Sequence, residues 1–96
     1  MSGGKRRVVI TGLGCVSPIG NSVEELWRNL LAGRSGVSSI TRFDASGLST
    51  RFAAQVKDFD VASYLSAKES RHMDLFIQYG LAAGVQAFVD SGLIVN

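Results

Sequence analysis

Arg7-Val8-Val9-Ile10-Thr11-Gly12-Leu13-Gly14-Cys15-Val16-Ser17-Pro18-Ile19-Gly20 is the stretch on which the fold turns. Three successive β-branched apolar residues, Val8 to Ile10, lead into a glycine, the pattern of a short strand buried on both faces in a parallel or mixed sheet. Such a strand needs a neighbour on each side. Gly12, Gly14, Pro18 and Gly20 punctuate the residues after it: small residues allow tight turning, and Pro18 stops a helix running through. Gly12-Leu13-Gly14-Cys15-Val16-Ser17 invites comparison with the dinucleotide fingerprint. The comparison fails, because Ser17 stands where the third glycine belongs and Pro18 with Gly20 delays the helix beyond reach of a pyrophosphate. A structural tight turn is the reading that remains.

Downstream, Ser22 with Glu25 three residues later has the capping-box spacing and opens a helix. Val23, Leu26, Trp27, Leu30 and Leu31 recur at i, i+3, i+4, i+7 and i+8, and Gly33 closes it. From Arg34 to Thr50 serine and glycine dominate, with Val37, Ile40, Phe43 and Leu48 as isolated apolar plugs of an ordered loop. Alternation at Phe52, Ala54 and Val56 predicts a second short strand. Ser66 with Glu69 repeats the capping box and predicts one long helix ending at Ser91-Gly92. Its apolar stripe is Met73, Phe76, Ile77, Gly80, Leu81, Gly84, Val85 and Phe88. Gly80 and Gly84 lower helix propensity, which implies a second backbone packed close against this helix. Two strands cannot make a full sheet, so the chain reads as an α/β fragment.

Composition narrows the classes of function. Ninety-six residues at 46% hydrophobic content suffice for one small unit. Ten Lys and Arg against eight Asp and Glu, a net charge of +2, give no global field that points to nucleic acid or a membrane surface. Cys15 is the single cysteine, which rules out an intrachain disulfide and fits a reducing, cytoplasmic setting. The basic opening Lys5-Arg6-Arg7 before Val8-Val9-Ile10 is no signal peptide, since the apolar run breaks at Thr11 and Gly12. The Leu81 to Val85 stretch falls far short of the ~20 apolar residues of a membrane span.

Residues able to carry chemistry are few. Cys15 has no helix N-terminus, cation or imidazole in its local sequence to activate the thiol, and reads as a small packed hydrophobe. His72 is the only histidine, so no histidine-based metal site forms within the chain. Asp58 and Asp60 read as a solvated loop pair. Lys68, Arg71 and His72 cluster on one side of the predicted long helix, opposite its apolar stripe. Cations in its first turns oppose the macrodipole, at about 0.3–1 kcal/mol each. They form either a solvated face or a site for an anionic partner.

Taken together, Arg7 to Gly14, Val16-Ser17-Pro18-Ile19-Gly20, Arg51-Phe52-Ala53-Ala54, Met73-Asp74 with Gln78, and Asp90-Ser91-Gly92-Leu93 resemble the start of the β-ketoacyl-acyl-carrier-protein synthases of the type II fatty-acid system. The long-chain-elongating branch looks closest, and polyketide ketosynthases share much of this region. The resemblance implies a thiolase-like α/β/α/β/α fold, with residues 1–6 a flexible leader and 7–96 the opening of its N-terminal domain. It implies decarboxylative condensation of an acyl-enzyme with malonyl-acyl carrier protein, by a cysteine and two histidines expected beyond Asn96. Cys15 and His72 match none of these three, so no catalytic residue, cofactor or metal ligand is assigned to this chain, and alone it should be inactive. The family docks its acidic carrier protein with basic residues at a helix start. Lys68 and Arg71 match those positions, and His72 stands where the family often has lysine. Malonyl- and acyl-thioester substrates and a homodimer follow from the same resemblance. A non-catalytic chain-length factor or a polyketide ketosynthase of the same fold, and a standalone module binding an acidic protein, are the alternatives.

Overall fold

The computed structural model describes residues 4–95, so part of the expected leader, residues 1–3, lies outside the described residues. In chain order the elements are α1 (Val23–Leu31), β1 (Val37–Ser39), β2 (Phe52–Ala54), a 3-10 turn (Val61–Ser63), α2 (Ala67–Ser70) and α3 (Leu75–Ser91). β1 and β2 pair antiparallel with Val37 opposite Ala54 and Ser39 opposite Phe52. β2 is the strand the alternation predicted, and its partner lies in what read as loop.

Helix α1 forms as its local signals require. The Ser22 hydroxyl accepts from the Glu25 amide at 3.2 Å, Ala32 is the C-cap, and Gly33 follows in the left-handed region at φ 69°. Ahead of α1, Ser17 and Gly20 exchange backbone hydrogen bonds of 2.8 and 3.2 Å, so the tight turn is Ser17-Pro18-Ile19-Gly20. Asp60 caps the 3-10 turn, accepting from the Ala62 amide and the Ser63 hydroxyl. In the loop before β2, Asp44 accepts from the Ser46 amide at 3.0 Å. This backbone bond, with the Ser46 side chain, holds its carboxyl below the usual value.

Three expectations are corrected. First, Val8 to Ile10 form no strand: the segment is unpaired, with Val8 92% and Ile10 82% exposed. A strand exists only through a ladder, and no described residue supplies the neighbouring edge. Second, Gly12 and Gly14 do not turn the chain; they pass beneath α3 at close range. A Cβ on Gly12 would collide with the Ala87 carbonyl and lie 2.6 Å from the Ser91 nitrogen. One on Gly14 would collide with the Ala83 carbonyl and lie 2.9 Å from the Ala87 nitrogen. The close backbone approach inferred for this helix is therefore real but sits on its Ala83/Ala87 side, and space around Gly80 and Gly84 is open.

Third, the predicted long helix is two. α2 ends at Ser70, and Asp74 restarts the chain as the N-cap of α3, at φ −66° and ψ 160° without a side-chain cap bond. α3 then runs to Ser91, closed by Gly92 at φ 71° as expected. Its packed side carries Tyr79, Ala82, Ala83, Gln86 and Ala87, with Ala82 fully buried, while Ile77, Leu81, Val85 and Phe88 of the predicted apolar stripe are exposed. Among the described residues the buried apolar side chains are Ala45, Leu65 and Ala82. Trp27, Leu30 and Leu31 of α1 are exposed as well.

Candidate functional site

The three predicted site residues lie on α2 and the turn that leaves it. Ser66 and Glu69 close the N-terminus of α2 as a full capping box. The Ser66 hydroxyl accepts from the Glu69 amide at 3.1 Å, and the Glu69 carboxylate accepts from the Ser66 amide at 3.3 Å. Lys68 is within the helix, Arg71 is its C-cap, and His72 follows in the turn. All three are exposed. Arg71 Nε donates to the Ala67 carbonyl at 3.2 Å, which lays its stem back along the helix.

This geometry revises the charge argument. With the helix broken after Ser70, Arg71 sits at a C-terminus, where a cation is favoured by the macrodipole. The macrodipole cost expected of a cation in a helix's first turns therefore does not apply to Arg71. What stands is proximity: two permanent cations and an imidazole within five residues, exposed, with the nearby Glu69 carboxylate turned back on its own helix start.

Beneath this turn lies a framework of glutamines that sequence reading missed. Gln78 Nε2 donates to the Ser70 and Met73 carbonyls, both at 3.1 Å. Two turns further along α3, Gln86 joins three separate segments. Its Oε1 accepts from the Cys15 amide at 3.0 Å, and its Nε2 donates to the Asn21 carbonyl at 2.8 Å and to Tyr64 Oη at 2.9 Å. Asp90 accepts from the Leu13 amide at 3.0 Å. Asp90 and Gln86 are four helical residues apart, a rise of about 6 Å, which matches the ~6.7 Å between the amides of Leu13 and Cys15 on an extended chain. The helix thus offers side chains where a neighbouring strand would offer carbonyls. The signal available in the sequence was the pair of amides, Gln78 and Gln86, eight residues apart in an otherwise Ala/Gly-rich apolar helix.

Cys15, Asp58 and Asp60 lie apart from this turn in the sequence and have structural surroundings. Cys15 is half-buried, with only its backbone engaged. Asp58 adopts φ 56° in a loop, and Asp60 is a cap. Phe59 packs between Tyr64, stacked at 5.9 Å, and Tyr79, edge-on at 5.0 Å, while Arg42 reaches Tyr79 Oη at 2.8 Å. These contacts anchor loops. A cleft of 440 Å³ between the start of α1 and α3 is lined by Leu13, Val23, Tyr64, Val85 and Val89. Its one amide, Gln86, has both donors and its acceptor already engaged. Among the described residues no helix is long and apolar enough to cross a membrane.

Comparison with known proteins agrees with the resemblance read from the sequence. The family model for the β-ketoacyl synthase N-terminal domain matches residues 5–96. Over 92 residues the chain is 61% identical to 3-oxoacyl-[acyl-carrier-protein] synthase 2 of Vibrio cholerae, covering 96% of this chain and 22% of that protein. Against the Coxiella burnetii protein of the same name the identity is 56% over 92 residues, with the same shares covered. The solved structure of the ishigamide ketosynthase/chain length factor superposes with a TM-score of 0.75 at 41% identity, over 93% of this chain and 22% of that one. The chain thus spans about a fifth of the length of its curated relatives, and its helices and small sheet are part of a thiolase-like α/β architecture. With the model matched from residue 5 to residue 96, the chain belongs to the β-ketoacyl synthase family, as a stretch of its N-terminal domain.

Proposed function

We propose that this chain is the opening segment of a 3-oxoacyl-[acyl-carrier-protein] synthase that elongates acyl chains in fatty-acid synthesis. The observation that carries the reading is the 61% identity over 92 residues to a protein named for that activity. In the parent enzyme a cysteine thiolate takes the acyl group, displacing the carrier thiol. Loss of CO2 from malonyl-acyl carrier protein leaves an enolate carbon that attacks the acyl thioester, and the cysteine departs as thiolate. Two histidines stabilise the charge that develops on oxygen. All three groups belong to the rest of the parent chain. Residues 7–96 contribute scaffold and a docking face, and the parent acts as a cytoplasmic homodimer. The chain-length-factor reading draws support from the solved neighbour at 41% identity, which is weaker than the synthase match.

The deciding experiment is to assay the parent protein for condensation and to treat it with a thiol reagent directed at condensing-enzyme active sites. A labelled cysteine and loss of activity are expected. A parent with no reactive cysteine would establish the non-catalytic alternative.

Lys68 and Arg71 form the docking face for the acidic carrier protein, with His72 as a third, weaker contact. Support comes from their exposure, their mutual proximity and their match to the family's docking positions. Such a patch mainly steers encounter and sets register. Lys68→Glu with Arg71→Glu in the parent is expected to weaken carrier-protein binding by about ten- to a hundredfold at low salt, with added salt narrowing the gap. Unchanged affinity in a titration at low ionic strength would remove these residues from the interface.

A further inference from the structure

We propose that Gln78 is the positioning residue of this docking face, an inference that rests on the reading of Lys68 and Arg71 just given. A helix of one turn does not hold itself together, because nucleation costs more than its few hydrogen bonds return. The capping box settles the N-terminus of α2. At the other end the carbonyls of Ala67, Glu69 and Ser70 accept only long backbone bonds, of 3.2–3.3 Å, from the amides of Arg71, His72 and Met73, and Gln78 adds a donor from outside the helix. Both amide hydrogens of Gln78 are committed, one to the Ser70 carbonyl and one to the Met73 carbonyl. Since both partners are acceptors, only the NH2 end of the side chain can face them.

The two carbonyls flank Arg71 and His72. Gln78 therefore pins the turn on either side of the residues it presents and ties it to α3, whose packed face includes the fully buried Ala82 four residues on. The backbone bonds within the turn are long, 3.2 Å from the His72 amide to the Glu69 carbonyl and 3.3 Å from the Met73 amide to the Ser70 carbonyl. Without Gln78 these bonds and those to the Ala67 carbonyl, from the Arg71 amide at 3.3 Å, Arg71 Nε at 3.2 Å and the Ser70 hydroxyl at 3.0 Å, would hold the turn without any tie to α3. A cation on a preorganised backbone loses less entropy on docking, so Gln78 raises affinity without touching the partner.

The test compares Gln78→Met, which keeps the length and apolar stem but has no donor, with Gln78→Lys, which keeps a donor, both in the full-length parent. Gln78→Met is expected to speed amide exchange at His72 and Met73 by about tenfold, and to raise the dissociation constant for an acidic carrier protein about fivefold. The slope of affinity against salt should stay as in the wild type, because no charge is removed. Gln78→Lys should retain most of the exchange protection. Unchanged exchange in Gln78→Met, equal loss in both variants, or faster exchange at unaltered affinity would each overturn the positioning role. Failure of the docking reading itself is distinct: the Lys68→Glu/Arg71→Glu protein would then bind as the wild type does, and the positioning role would fall with it.

Discussion

Expressed alone, the 96-residue chain is expected to show no cooperative thermal transition, to bind a hydrophobic dye strongly, and to associate at micromolar concentration. The surface it leaves uncovered requires this. Its accessible area is 7635 Å², against roughly 5300 Å² for a compact folded monomer of this mass. The radius of gyration is 17.7 Å, against about 12.5 Å for a compact domain of this length. Among the described residues three small or medium apolar side chains are buried, while Val8, Ile10, Trp27, Leu31, Phe76 and Ile94 are among those left in water. At about 25 cal/mol per Å² such a core offsets little of the chain entropy, which runs to 1–2 kcal/mol per residue. The unpaired, exposed apolar segment at residues 8–10 adds a template for association. Scanning calorimetry and dye fluorescence on the isolated chain, beside the full-length parent, decide the matter. A sharp two-state transition with little dye binding would show that these residues stand alone, which would revive the standalone-module alternative.

What was legible in the sequence was what is local. Ser22, Ser66 and Gly92 act within three or four residues of themselves, and each stands where its spacing put it. The break between α2 and α3 was obscured because the apolar period runs through Met73 without a gap, while the competing start signal, Asp74 before Leu75-Phe76-Ile77, caps with its backbone conformation alone. The face of α3 was read in reverse for a different reason. Periodicity reports which side is apolar, and here that side has no partner among the described residues, whereas the Ala82/Gln86 side does. No periodic signal announces that Gln86 will meet residues 65 and 71 positions away. Such contacts are set by tertiary packing, as is the fate of Val8 to Ile10, strand-forming by composition and yet unpaired. The exposed cluster of Lys68, Arg71 and His72 was legible as composition, and Gln78 as part of the resemblance, but the bonds from Gln78 to the Ser70 and Met73 carbonyls were not.

Gly14→Ala is expected to cost the parent protein about 3 kcal/mol or more, enough to leave much of it insoluble on expression. The added methyl has nowhere to go: it would collide with the Ala83 carbonyl and lie 2.8 Å from the Ala83 carbonyl carbon and 2.9 Å from the Ala87 nitrogen. These are helix backbone atoms, which cannot rotate aside as a side chain would, so the segment must lift from α3. Lifting it breaks the bond from the Cys15 amide to Gln86 and the bond from the Leu13 amide to Asp90. A polar group stranded in this way carries its own penalty of about 1–3 kcal/mol. Gly47→Ala, with no atom within 4 Å of the new methyl, serves as the control and should stay within about 0.5 kcal/mol of wild type. Urea denaturation of the three proteins followed by tryptophan fluorescence reads both values. If Gly14→Ala unfolds at the wild-type midpoint, the close passage of residues 12–15 under α3 is wrong. The register that Asp90 and Gln86 set between that segment and the helix would then be wrong with it.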